Sequence, residues 1–294
     1  MSQAMTDPVV SNDAEVLAAA EADLAKKVNW RSSIPFLALQ LTPLLLIFTG
    51  ITRTAVILFL FTYFGRMFII TGVYHRYFSH KAYRLNRFWQ FTFAFLACSC
   101  AQKGPLWWAA HHRDHHKFAD TERDIHSPRD GFMWSHVGWI LCDKYGDTKM
   151  DNIKDFAKYP ELRWLNSHDF IAPWALGVAC FLIGGWSGLV LGFFTSTVLL
   201  WHSTFTINSL AHVFGRRRYE TTDTSRNSLL LALLTMGEGW HNNHHRYQSS
   251  ARQGFRWWQV DVTYYGLWML SKVGIVKDLR PVPRRVIDEA RPNR

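Results

Sequence analysis

Between Ile171 and Ile207 the sequence contains no Lys, Arg, Asp or Glu, and between Ile34 and Gly50 it contains none either. Only Arg53 and Arg66 interrupt the following stretch to Tyr74. Apolar runs of this length exclude an ordinary soluble domain and suit a bilayer. Cysteine is scarce. Cys98, Cys100, Cys142 and Cys180 form no Cys-x-x-Cys pair, and two of them lie in apolar segments. That argues against a disulfide framework or a thiolate zinc site, and for reduced, buried, small apolar side chains. Residues 1–27 carry acids and an alanine run rather than a basic start followed by an apolar core, so no cleavable leader is expected there. No internal repeat or low-complexity segment is evident.

The charge is concentrated outside these runs. The formal net charge is +10, and all but Arg53 and Arg66 of the 33 Lys and Arg residues lie outside the apolar region. The positive-inside rule places that basic part in the cytoplasm. Several apolar spans argue against a nucleic-acid binder despite the charge. The 14 Trp and 21 Phe suit membrane interfaces and apolar channels.

A helix needs roughly 20 residues, at 1.5 Å each, to cross a core of about 30 Å. The sequence predicts spans over 34–50, 54–74, 171–186 and 188–207, paired as two hairpins, the second broken at Gly184-Gly185-Trp186-Ser187-Gly188. The helix from Gly188 is expected to run on through His212. Residues 88–102 reach only about 22 Å and predict an interfacial helix that does not cross. The expected organisation is a cytosolic tail over 1–30, one membrane-embedded unit over 31–275 and a basic tail over 276–294. Two crossings return the chain to the tail's side before His75, and two more return Asn208 and His212 to it. Both termini and every histidine cluster then share the cytoplasmic face. A metal transporter would instead place histidines within the spans or on alternating sides.

The histidines carry the chemistry. Eight of the fourteen fall into His75-Arg-Tyr-Phe-Ser-His80, His112-Arg-Asp-His115-His116 and His241-Asn-Asn-His244-His245. The ninth, His212, lies four residues after Asn208. Helical positions i, i+3 and i+4 share a face, so each cluster is expected to aim two or three imidazoles at one point. The five-residue spacing of His75 and His80 suits a helix end where the chain turns. Neutral imidazole ligates iron, copper, zinc or nickel. Structural zinc takes four ligands and catalytic zinc three, so nine imidazoles fit two irons better.

At these residues the sequence resembles the membrane fatty acyl desaturases, most closely the acyl-CoA Δ9 (stearoyl-CoA-type) branch. The matching strings are His75-Arg-Tyr-Phe-Ser-His80, Trp108-x-x-x-His112-Arg-x-His115-His116-Lys117, Ser135-His136-Val-Gly-Trp139, Asn208-Ser-Leu-Ala-His212 and Gly237-Glu-Gly-Trp-His241-Asn-Asn-His244-His245. They extend from about residue 34 to about 270. The resemblance implies an all-α membrane protein, four transmembrane helices under a cytosolic helical cap holding a di-iron centre. It implies nine ligands, His75, His80, His112, His115, His116, His212, His241, His244 and His245, with Asn208 acting through water. The implied reaction uses O2 and two electrons to insert a cis double bond, Δ9 in this branch, into a saturated acyl chain. A hydroxylase or acetylenase on the same scaffold is the alternative. Tyr63 falls at the family's tunnel floor, Trp108 on its wall, and Lys144 where a basic residue meets the headgroup.

Departures leave the acyl carrier open among CoA, acyl carrier protein and membrane lipid. Ala110-His111 stands where animal members carry Arg-Asp, and Asp143 precedes Lys144. No fused cytochrome b5 domain is expected, so the electrons are expected from a separate protein of cytochrome b5, ferredoxin or rubredoxin type. Arg66 inside a span is expected to pair within the bundle or face the polar mouth. His111 is expected to support the ligands. His202 is expected near the tunnel mouth. His126, His136 and His168 are expected as structural hydrogen-bonders. The basic run Arg280–Arg294 is expected to be a solvated tail or to meet anionic lipid or an acidic donor.

Overall fold

The computed structural model describes residues 26–290. Helix α1 (Trp30–Leu41) starts where the Asn29 side chain accepts hydrogen bonds from the Arg31 and Ser32 amides, supplying partners that a helix N-terminus otherwise lacks. It runs on through tighter turns to Thr49 and stops at Gly50, whose φ of +66° suits glycine. Thr52 then caps α2 (Arg53–Ile69) by accepting from the Ala55 amide at 3.1 Å.

Beyond Ile69 the same helix unwinds into wider π turns over Ile70–Ser79. The His80 amide donates to the His75 carbonyl at 3.2 Å, five residues back. The helix end expected at this pair is present: His80 closes the segment and Lys81 leaves it at a left-handed φ of 49°. The π winding is what the spacing did not reveal. In a π-wound segment residues five apart stand one above the other, so the spacing of these two histidines is one turn.

Helix α3 (Arg87–Cys98) is capped by the Asn86 side chain and ends four residues before the end of the 88–102 expected. Ala101 and Lys103 adopt left-handed φ of 53° and 65° and redirect the chain into α4 (Pro105–Phe118). The Asn166 side chain accepts from the Leu106 and Trp107 amides at 3.1 and 2.9 Å and so fixes the start of α4.

Helix α5 (Ile171–Ser187) contains the second reversal. Gly185, at φ 60° and ψ −154°, turns the chain so that Gly188 meets the Cys180 carbonyl and Gly177 meets the Phe193 ring. A Cβ on Gly188 would lie 2.4 Å from that carbonyl, so the close return needs glycine. The Ser187 hydroxyl donates to the Gly50 carbonyl at 2.9 Å and accepts from the Thr52 amide at 3.3 Å. Both reversals therefore sit at one end of the bundle. The return helix begins with π turns over Gly188–Thr195 and becomes α6 (Ser196–Asn208). It does not run straight through His212. Ser209 breaks it, and a separate turn, Leu210–Val213, carries His212. The Ser209 hydroxyl donates to the Phe205 carbonyl at 2.9 Å, a back-bond that bends helices.

Three helical stretches are long and apolar enough to cross a membrane: Trp30–Thr49, Arg53–Ser79 and Ile171–Val213, the last folded on itself at Gly185. Arg66 lies buried between them. It donates to the Thr62 and Ser99 carbonyls and to the Ser196 and Thr197 hydroxyls, which satisfies a guanidinium with neutral groups alone. This is the pairing within the bundle expected from its position.

After His212 the chain forms α7 (Leu229–Leu234), α8 (His241–Arg246) and α9 (Val262–Lys272). The Leu234 carbonyl accepts from the Tyr63 hydroxyl at 3.0 Å, so α7 reaches twelve residues back along α2 from His75. Its Leu229, Leu230 and Leu233 are exposed. Helix α9 packs on α2 and its π-wound continuation, with Gly266 against Phe68 and the Thr263 and Thr71 hydroxyls 2.7 Å apart. Among the described residues there is no strand, only isolated bridges such as Arg84 with Lys277.

Candidate metal centre

The nine histidines converge on the end of the bundle opposite the two reversals, in two adjacent groups. His75, His80, His112, His116 and His244 bring one ring nitrogen each within 4.8 Å of one another, and so do His115, His212, His241 and His245. The sequence clusters do not map onto the groups one to one. Neighbouring helix positions diverge by about 100°, so α4 sends His112 and His116 to the first group and His115 to the second. Helix α8 sends His244 to the first and His241 and His245 to the second. The expectation that each cluster aims at one point is corrected on that ground. The two groups touch where the His116 and His245 rings lie 4.4 Å apart.

The spacing within the five-membered group is informative. The Nε2 pairs His75–His244, His80–His112 and His112–His116 are each 3.0 Å apart, and His116–His244 is 2.9 Å. Nitrogens about 2.1 Å from a common ion lie about 3.0 Å apart at right angles and about 3.4 Å apart at tetrahedral angles. Five nitrogens near 3.0 Å suit an ion of five or six coordination and exceed what tetrahedral zinc takes. In the second group the His212 and His241 Nε2 atoms are 3.1 Å apart. The buried His245 Nε2 has no partner among the described residues and faces the same point.

Four carboxylates set the orientation of these rings. The Nδ1 of His115 donates to Asp124 at 2.9 Å, that of His212 to Asp120 at 3.3 Å and that of His245 to Asp223 at 2.8 Å. The Nδ1 of His75 pairs with Glu238, which also meets Arg76 at 3.0 Å. Anchoring Nδ1–H leaves the Nε2 lone pair free to take a metal and raises its basicity. The sequence reading missed all four acids. The only signal it offered was their density beside the histidine boxes, in Asp120-Thr-Glu-Arg-Asp124 and in Glu238, three residues before His241.

The electrostatics favour ligand-ready rings. Burial, reinforced by neighbouring imidazoles, holds His80, His112, His116, His241 and His244 well below the usual histidine range. Burial brings His245 down to about 4 against the pull of Asp223. At His115 burial also opposes protonation, but Asp124, Asp120 and Asp223 outweigh it and the pKa is raised. Burial pushes Asp120 up, yet hydrogen bonds from His212 and Thr224 hold it at about 2.

A cavity of about 650 Å³ ends at this centre. Its walls include His112, Trp108, Gln102, Thr204, Phe36 and Trp201, and its rim includes Lys103, Asp143 and the exposed Phe170 and Trp174. Trp108 stacks on His112 at 4.9 Å and donates to Gln102 at 3.3 Å, and Gln102 donates to Thr204 at 2.8 Å. Asn208 also lines this cavity. With the helix broken at Ser209, Asn208 and His212 do not form the i, i+4 pair expected of them.

The remaining sequence-derived positions scatter. Tyr63 is buried and donates to the Leu234 carbonyl, its hydroxyl 3.0 Å from Ser203. Lys144 is exposed beside Asp143. His111 lines the cavity with Nδ1 on the Trp107 carbonyl at 2.9 Å. His126 lines it as well, its ring 4.3 Å from that of His115. His136 lies 3.0 Å from both His202 and Ser209, and His202 reaches Gln40 at 3.0 Å. His168 bonds the Trp164 carbonyl.

The family model for fatty acid desaturase matches residues 52–267. The chain is 37% identical over 225 residues to palmitoyl-monogalactosyldiacylglycerol delta-7 desaturase of Arabidopsis thaliana, covering 73% of this chain and 60% of that one. It is 38% identical over 216 residues to icosanoyl-CoA 5-desaturase of Limnanthes douglasii, covering 72% and 60%. It is 35% identical over 262 residues to sn-1 stearoyl-lipid 9-desaturase of Synechocystis, covering 83% and 82%. The chain thus spans less than two thirds of the first two relatives, and more than four fifths of the third. Two buried histidine groups at the end of an apolar bundle, together with a family match over most of the sequence, establish that this chain belongs to the fatty acid desaturase family.

Proposed function

We propose that this protein is an O2-dependent fatty acyl desaturase that inserts a cis double bond, at Δ9, into a saturated chain. The observation that carries the reading is the set of Nε2 spacings of 2.9–3.0 Å in the five-histidine group, at the end of a cavity whose wall reaches His112. The nine histidines would hold two irons, with Asn208 acting through a bound water on the four-histidine side. Bound iron supplies the activation of O2 needed to oxidise an unactivated CH2–CH2 pair. The balance is one saturated chain, O2, two electrons and two protons giving one alkene and two waters.

The chain's own residues provide placement and exclusion. Trp108, held between His112 and Gln102, forms a flat wall that positions the target carbons beside the metal face. Phe36, Leu39 and Trp201 supply the apolar lining that keeps water away from the reacting carbons. Tyr63 is the proposed limit to chain length and Lys144 the headgroup contact. The acyl group arrives as a CoA thioester, an acyl carrier protein thioester or a membrane lipid. The electrons come from a separate donor protein.

The doubling back at Gly185 supports four membrane crossings in two hairpins, with α3, about 18 Å long, lying at the interface. Both reversals then face one side, and the metal centre with both termini faces the cytoplasm. Expression in a host lacking unsaturated fatty acids, followed by mass spectrometry of its lipids, tests the reading. A new alkene is the expected product. An alcohol or an alkyne would reassign the chain to hydroxylation or acetylenic chemistry, and no product from iron-loaded, reduced protein would overturn the reading.

A further inference from the structure

The two histidine groups have unequal surroundings. Around the four-histidine group, three rings are backed by three carboxylates, Asp120, Asp124 and Asp223, all at least nine-tenths buried. Their other hydrogen bonds come from hydroxyls and backbone amides, and Asp124 also lies 3.8 Å from His126 Nδ1. Thr224 donates to Asp120, the Asp120 amide to Asp124, and the Ser225 amide to Asp223. Around the five-histidine group, one ring of five is backed by a carboxylate. That carboxylate, Glu238, is shared with the buried guanidinium of Arg76, which also pairs with Asp261 at 2.9 Å.

A carboxylate on Nδ1–H draws the proton away from the ring and makes Nε2 a stronger donor. Outer partners of this kind are worth about 10–100-fold in metal affinity each. The five-histidine position has one more nitrogen, but that donor is neutral and offsets none of the ion's charge. The four-histidine position has two more carboxylates, and nearby negative charge favours the more highly charged ion. Charge therefore decides the order. We propose that the two metal positions are inequivalent in redox terms, with Asp120, Asp124 and Asp223 keeping the ion at the four-histidine position ferric after the ion at the five-histidine position has become ferrous. These three acids act through the rings and are positioning residues. The inference rests on the di-iron reading above.

The test is an anaerobic titration of the full chain, loaded with Mössbauer-active ferric iron, using dithionite as reductant. Each electron converts one ferric ion to ferrous, and no bond is made or broken. Two ferric components are expected to disappear in succession. Asp223→Asn should move the signal of the component reduced second and shrink the separation at least tenfold in the ratio of the two ions. Asp223→Glu should restore it. Glu238→Gln should move the signal of the component reduced first. Two ferric components that fall together, or an Asp223→Asn change that moves both equally, would overturn the inequality while leaving the desaturase reading intact. Failure to retain two irons would overturn both.

Discussion

The Ser187 hydroxyl donates to the Gly50 carbonyl at 2.9 Å and ties the two chain reversals to each other. Gly50 ends the first apolar helix and Gly185 turns the second hairpin two residues before Ser187. The two histidine groups lie at the other ends of the same helices. If those helices cross a bilayer, the reversals and the histidines must face opposite compartments. A single cysteine introduced at Gly50 or Thr52 is expected to react with a membrane-impermeant maleimide from the periplasmic or lumenal side only. One introduced at Lys117, exposed beside His116, should react from the cytoplasmic side only. Labelling of both from one side would overturn the four-crossing arrangement.

Removing a ligand should separate the two positions. His80 serves only the five-membered group and His241 only the four-membered group. His80→Ala and His241→Ala are each expected to lower bound iron from two to one per chain and to abolish alkene formation. Thermal stability should be less affected by His80→Ala, since its ring is part-buried while that of His241 is fully enclosed. Metal analysis of purified variants checks the first statement and lipid analysis the second. Loss of both irons in either variant would show that the positions fill as one unit.

The uncharged runs and the histidine spacings made the chain reversals and the convergence of the nine histidines legible. Charge is excluded from lipid, and metal ligands need particular side chains, so both leave marks in composition. The division of ligands between two points was not legible. It depends on the 100° step that sends His115 and His116 of α4 to different groups. The π winding at His75 was hidden because hydrogen-bond register is settled by packing against α4 and α9 rather than by local residue preference. Asp120, Asp124, Asp223 and Glu238 were hidden for a different reason. Acids in loops are ordinary, and only the fold brings Asp223 to His245, twenty-two residues away.

The chain of contacts from His112 through Trp108 and Gln102 to Thr204 makes a regiochemical prediction. Gln102 holds the Trp108 indole with its carbonyl and Thr204 with its amide. Gln102→Ala frees the indole to tilt while leaving all nine ligands in place. The expected outcome is unchanged iron content, a rate reduced about tenfold through lost orientation, and a mixture of double-bond positions. Thr204→Val should show a weaker form of the same effect. If Gln102→Ala yields one positional isomer at the normal rate, the wall does not place the chain.

Metal-free protein should lose stability with falling pH in two separate windows. The first belongs to histidine. His245 falls from 6.5 in the ordinary state to about 4 in the fold, and His126 to about 3, in both cases through burial. Below pH 6.5 the unfolded chain takes up protons that the folded one refuses, so stability is highest above that value and declines from 6.5 toward 4. The second window belongs to the carboxylates. Asp120 is held at about 2 by His212 and Thr224 although burial pushes it up, and its contribution is present above 3.8 and lost as pH falls toward 2. Bound metal should deepen the first window, because each ligand must then shed its metal to accept a proton. Melting temperatures of metal-free protein at pH 8, 5 and 3, spaced about these thresholds, are expected to fall at each step. A flat profile between pH 8 and 5 would mean that the buried rings are already charged in the fold.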